Sequence, residues 1–117
     1  MAERDDAAKY VYKQCKDLVD GRCYAVKQPA IQNEDMYPSI VYHIVGVERA
    51  VFISGLAKRS VRIRIDARVQ QYEDLAALCE RIEQVLADRM TMIYSETDAF
   101  DERAKVYRRL LSVGIHP

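Results

Sequence analysis

Between Ser60 and Val69 the chain alternates apolar and charged residues without a break, and a helical pattern follows directly. Val61, Ile63, Ile65, Ala67 and Val69 are interleaved with Arg62, Arg64, Asp66 and Arg68. Successive side chains of a strand point to opposite faces, so this run predicts a strand with one apolar and one charged face. From Tyr72 the period lengthens. Leu75, Leu78, Cys79, Ile82, Val85, Leu86 and Met90 recur at three- and four-residue steps, the stripe of an amphipathic helix. Each apolar surface needs a partner, and the two are neighbours in the chain. Together they predict the centre of the fold, and they contain no catalytic group.

The flanking segments arrange themselves around that centre. Met1 to Asp6 is polar and charged and reads as a frayed tail. Ala8, Val11, Tyr12, Cys15, Leu18 and Val19 keep helical spacing, and Asp20-Gly21 stops this first helix with glycine just past its end. Arg22 to Lys27 suits a short strand, and Gln28 to Tyr37, bracketed by Pro29 and Pro38, an irregular loop. Ser39 to Val47 is apolar on both faces, which predicts a strand inside the sheet or one covered by a partner. Glu48 to Arg59 either extends the flanking strands or forms an arm needing another surface. After the second helix, Thr91 to Phe100 is partly extended and then acidic. Ala104 to Ile115 closes the fold as a strand with Tyr107, Arg109, Leu111, Val113 and Ile115 on one face. The expected fold is α+β: an antiparallel sheet of four to five strands with two helices on one face, in the order α-β-β-β-α-β(-β).

At 117 residues the chain reads as a single domain, residues 1–117, able to bury roughly two-thirds of its unfolded surface. Its 18 basic and 18 acidic side chains cancel, so no net field draws it to nucleic acid or an anionic membrane. No apolar run approaches the roughly 20 residues of a membrane span, and no signal-peptide pattern opens the sequence, which points to the cytosol. Three cysteines without CxxC spacing suit neither a disulfide framework nor a zinc site. Cys15 and Cys79 fall on apolar stripes and are expected buried and reduced, whereas Cys23, at a turn or strand start, is open to greater exposure.

No catalytic motif is present: GxxxxGK[ST], GxGxxG, HExxH and GxSxG are all missing. Glu96, Asp98, Asp101 and Glu102 form one acidic cluster whose spacing does not match an EF-hand, and they read as a solvated acidic loop without metal. His43 reads as a structural histidine on a strand. No enzyme and no cofactor are expected. The order α-β-β-β-α raises the double-stranded-RNA-binding domain as an alternative. That domain meets phosphate with lysines at the start of its second helix, where this chain has Tyr72-Glu73-Asp74. A generic subunit of another cytosolic complex is the further alternative.

Two surfaces suit a partner. Val51, Phe52, Ile53 and Leu56 are too apolar for a solvated hairpin tip. Arg62, Arg64 and Arg68 share one strand face, either as solvated arginines whose stems cover apolar surface or as a charged surface meeting an acidic partner such as another copy.

The stretch from Val61 through Asp66-Ala67 and Tyr72 to Leu86 resembles the core of the phage tail-completion, or tail-terminator, family: a strand, an Asp-Ala turn, an aromatic, then a helix with Leu and Ile at its core positions. Asp20-Gly21-Arg22-Cys23-Tyr24, Tyr37-Pro38-Ser39-Ile40-Val41-Tyr42 and Tyr107-Arg108-Arg109-Leu110-Leu111 are similar to further family segments, in the same order. The resemblance implies a structural virion protein of a long-tailed phage or prophage, located at the head–tail junction and assembled in the host cytoplasm. It implies a ring, usually of six copies, that caps the completed tail tube and offers the head connector a joining surface. The implied partners are other copies, the tail-tube protein and the connector, with no membrane and no specific nucleic-acid binding, though phage DNA passes through such a ring. A ring closes through unlike patches on each subunit.

Overall fold

A computed structural model describes residues 2–28, 36–51 and 57–116. Its elements are α1 (Ala2–Cys15), extended by a 3₁₀ turn over Lys16–Val19, β1 (Cys23–Ala25), β2 (Ser39–Val51), β3 (Ala57–Val69), α2 (Glu73–Leu86), β4 (Met90–Asp101) and β5 (Val106–Ile115). The five strands form one sheet in the order β1-β2-β3-β5-β4. The expected α+β order holds, with all five strands present.

The alternation of β3 does what its sequence requires. Val61, Ile63, Ile65, Ala67 and Val69 are buried under the helices, while the charged residues between them face the other way. Ile63 pairs with Ile44 on one side and Val113 on the other, and Ile65 with Tyr42 and Leu111, so one apolar band crosses three strands. α2 covers it with Leu75, Leu78, Cys79, Ile82 and Leu86, all buried on one stripe. α1 adds Ala7, Val11, Cys15 and Val19, a strict four-residue repeat. This corrects the expected stripe at Tyr12, which is 40% exposed and lies 6.5 Å from the Tyr42 ring. Both helices therefore share one face and one core.

α1 runs helically from Ala2, through the stretch read as a frayed tail, and the Asp6 carboxylate accepts from Arg89 Nη2 at 2.9 Å. At its far end Asp20 and Gly21 take positive φ, 52° and 83°, and Gly21 N–H donates to the Lys16 carbonyl at 2.7 Å. β1 differs from the expectation of an all-antiparallel sheet. It runs parallel to β2, with Cys23 opposite Ile40, and this inward register buries Cys23, whose exposure the sequence left open. β1 ends at once because Val26, at φ 70°, turns the chain out of the sheet after donating to the Tyr42 carbonyl.

β2 changes register between Ile44 and Gly46, leaving Val45 without a partner across the strand pair and 46% exposed. Beyond this bulge β2 and β3 remain paired to Val51 opposite Ala57. On either side of residues 52–56, which lie outside the described residues, Glu48–Val51 and Ala57–Arg59 thus extend the flanking strands, and with β1 confined to residues 23–25 and β5 ending opposite Val61 these strand ends project as an arm.

Candidate subunit interface

The face of the sheet away from the helices carries the three arginines singled out by sequence, and it uses them differently. Asp66, buried on β3, accepts from Arg68 Nε at 3.1 Å and from Arg108 Nη2 on β5 at 2.7 Å. Arg68 also donates to Gln28 Oε1, which accepts from Ser39 Oγ as well, so this guanidinium ties three segments together. The bond to Asp66 is the main cause holding the Arg108 pKa above its ordinary value. Arg62 Nε donates to Ser112 Oγ at 2.9 Å, and its guanidinium lies 4.4 Å from the centre of the Tyr94 ring. Arg64 is exposed and makes no ion pair or hydrogen bond among the described residues. Arg62 and Arg68 thus join strands within the chain, and Arg64 alone of the three points to solvent.

The arm is the second surface. Val51 ends β2, and its side chain, with Phe52, Ile53 and Leu56, lies outside the described residues. The backbone register sets Arg49 opposite Arg59 and Ala50 opposite Lys58.

The third surface was not anticipated. β4, expected to pass into an acidic loop, remains a strand through Asp101 and is the outer strand of the sheet. A terminal strand presents one row of backbone donors and acceptors unpaired by the sheet. Met92 (56%), Ile93 (39%) and Phe100 (43%) are exposed along it. Phe100 continues through Tyr107 to Tyr72 at the start of α2, with ring centres 4.9 and 5.4 Å apart. Asp98 accepts from Arg109 Nε at 2.6 Å and from the Tyr72 hydroxyl at 3.0 Å, fastening α2 to β4. The Arg109 bond is the main cause lowering the Asp98 pKa, and it raises that of Arg109 in turn. Asp101 is lowered chiefly by the Ala104 N–H, then by that of Arg103, as it caps the β4–β5 turn. The acidic cluster is therefore built into a strand and its turn.

The clefts hold no catalytic arrangement among the described residues. One of about 550 Å³, lined by Ala8, Ala25, Val26, Tyr42, His43 and Ile44, is mostly apolar. Among the described residues no group of three His, Cys, Asp or Glu is placed to hold a metal ion. Burial pushes the Cys15 and Cys23 thiols up to about 12 and that of Cys79 to about 11, which suits packing rather than nucleophilic attack. No described helix is long and apolar enough to cross a membrane.

No protein-family model and no curated protein matches the chain. Among solved structures it is similar to a chain of the virion of a native gene transfer agent (GTA) particle, with a TM-score of 0.61 and 15% identity. The match covers 97% of this chain and 98% of that one, so the two share a fold over almost their whole lengths.

Proposed function

We propose that this protein is a structural, non-enzymatic subunit of a phage or phage-like particle. It assembles as a ring, six copies being the expected number, that caps the completed tail tube and presents the head-joining surface. The observation that carries the reading is the end-to-end fold likeness to a chain from a gene transfer agent virion. The unlike surfaces of the subunit add to it: an outer strand on one side and a protruding hairpin arm elsewhere. A head-to-tail ring needs two such different patches, whereas a closed dimer needs one patch that fits itself. Its partners are then other copies, the tail-tube protein and the head connector, and its place is the head–tail junction of the virion. The double-stranded-RNA reading fares worse, because α2 opens on Glu73 and Asp74, which suit the helix dipole and repel phosphate.

Native mass by light scattering, from micromolar to millimolar concentration, tests the reading, with electron microscopy of any large species. A six-fold species imaged as a ring is expected. A tight dimer at every concentration contradicts it. Phe52→Asp is expected to leave the subunit folded and prevent the ring; an unfolded variant would place Phe52 in the core instead.

A further inference from the structure

The two helices cover one face of the sheet, and among the described residues no element covers the other. On that open face the strand register sets His43, Arg64, Ser112 and Ser95 side by side across β2, β3, β5 and β4. The row holds one guanidinium and no carboxylate. Two acids on the same face are engaged: Asp66 by Arg68 and Arg108, and Asp101 by the Ala104 and Arg103 N–H groups. Arg64 is left exposed, at a cleft of about 260 Å³ lined also by Ser95, Thr97 and Ser112. A guanidinium beside hydroxyls suits a carboxylate, which gains opposite charge from the first and hydrogen bonds from both.

The opposite side of the molecule offers the complement. Leu75, Leu78, Cys79, Ile82 and Leu86 bury one stripe of α2. Glu73, Ala77, Glu80 and Gln84 are exposed at three- and four-residue steps along the other, and Ala87 continues the stripe just past the helix end. α2 holds four acids, Glu73, Asp74, Glu80 and Glu83, against the single base Arg81, and none of the four has an ion pair among the described residues. Glu80 and Glu83, three residues apart, repel each other on the helix surface. The alanines between the carboxylates leave room for this stripe to lie close against a sheet.

We propose that the outer stripe of α2 in one copy docks on the open sheet face of a second copy, with Glu80, at the middle of the stripe, reaching the Arg64 cleft. The inference rests on the ring reading above and names the contact that closes the ring. Charge complementarity selects the occupant, because a helix surface with three surplus acids meets a face whose free charge is the Arg64 cation. Donor and acceptor lie on opposite sides of the subunit, so copies associate front to back and a two-fold pair cannot satisfy both. Each sheet then gains a helix on its second face and becomes the middle layer of three.

A charge swap on the full chain tests this. One variant carries Arg64→Glu and the other Glu73→Lys with Glu80→Lys. Circular-dichroism melts establish that each is folded, and light scattering reads association of each alone and of an equimolar mixture. The expected result is loss of association for either variant alone and recovery in the mixture, where alternating copies restore every contact. Arg64→Ala, which removes the cation and adds no charge, is expected to raise the concentration needed for association about tenfold. Association of the wild type is expected to weaken as salt is raised. If the wild type forms rings and a folded swap variant still does so alone, this contact is wrong and the ring reading stands. If both folded variants stay monomeric and their mixture does too, the pairing is likewise overturned. Should either swap variant fail to fold, Arg64→Ala decides, and wild-type association of that variant overturns the contact. If the wild type itself forms only monomers or dimers, the ring reading falls, and this contact falls with it.

Discussion

Arg108 Nη2 of β5 lies 2.7 Å from Asp66 Oδ2 of β3, and Arg68 reaches the same oxygen at 3.0 Å. One buried carboxylate thus serves two guanidinium groups from neighbouring strands, each of which keeps partial access to water. Removing the carboxylate leaves both cations close together without a counter-charge. Asp66→Ala is therefore expected to cost about 2–3 kcal/mol, less than a fully buried pair because the arginines can turn toward solvent. Urea denaturation measures it. A loss under about 0.5 kcal/mol, the scale of an ordinary surface change, would show that the two arginines are held without Asp66.

Acid is expected to destabilise the β4 edge of the sheet and its turn into β5. The Arg109 hydrogen bond holds the Asp98 carboxyl below its ordinary value of 3.8, and the Ala104 and Arg103 N–H groups do the same for Asp101. Below that ordinary value the unfolded chain binds protons that the folded chain still refuses, so folding stability falls with pH. The contribution is whole at neutral pH and is lost as pH drops through the folded values. Asp98→Asn is expected to make this acid-side decline shallower, as read by thermal melts across pH. An unchanged slope would mean that Asp98 titrates alike in both states.

The thiols are expected to be silent until the fold opens. A disulfide reagent at about pH 8 attacks thiolate, and burial keeps Cys15, Cys23 and Cys79 protonated there. The native protein should release no chromophore over minutes, and the urea-unfolded chain should titrate all three cysteines. Rapid reaction of a single thiol in the native state would identify a segment that opens locally, with Cys23 on the short β1 the first to check.

Gly114 occupies a position with no room for a side chain. A Cβ there would stand 2.5 Å from Thr91 Oγ1 and 2.6 Å from Ser60 Oγ, two hydroxyls 3.0 Å apart on flanking strands. Gly114→Ala is expected to cost about 1–3 kcal/mol by overpacking. In a Ser60→Ala, Thr91→Ala background most of that cost should vanish. A cycle showing no coupling between the sites would place the strain elsewhere.

The parts of this fold that were legible in sequence are those in which one period serves one surface. β3 alternates because one face meets helices and the other meets water, and α2 keeps its stripe because a single sheet covers it. Tyr12 misled because a large aromatic fits an apolar stripe by spacing alone, whereas α1 approaches the sheet closely enough to select Ala7 and Cys15. The direction of β1 was not legible, since alternation reports faces and says nothing of parallel or antiparallel pairing. β4 was obscured by its own exposure: with little burial there is little apolar pattern, and its acids read as a loop. The arginines of β3 could be placed on a face from sequence, but their partners, Asp66 apart, come from Gln28, Ser112 and Tyr94, far along the chain.

The bulge at Val45 has a consequence for how the hairpin is read by other molecules. Before it, Ile40, Tyr42 and Ile44 face the helices; after it, the odd-numbered Val47 takes that side, opposite Val61. One surplus residue has shifted the phase of the strand, so the part embedded in the body and the part that projects keep separate inside-and-outside codes. The projecting half can therefore change its outward lettering over generations without rewriting the half that holds the molecule together.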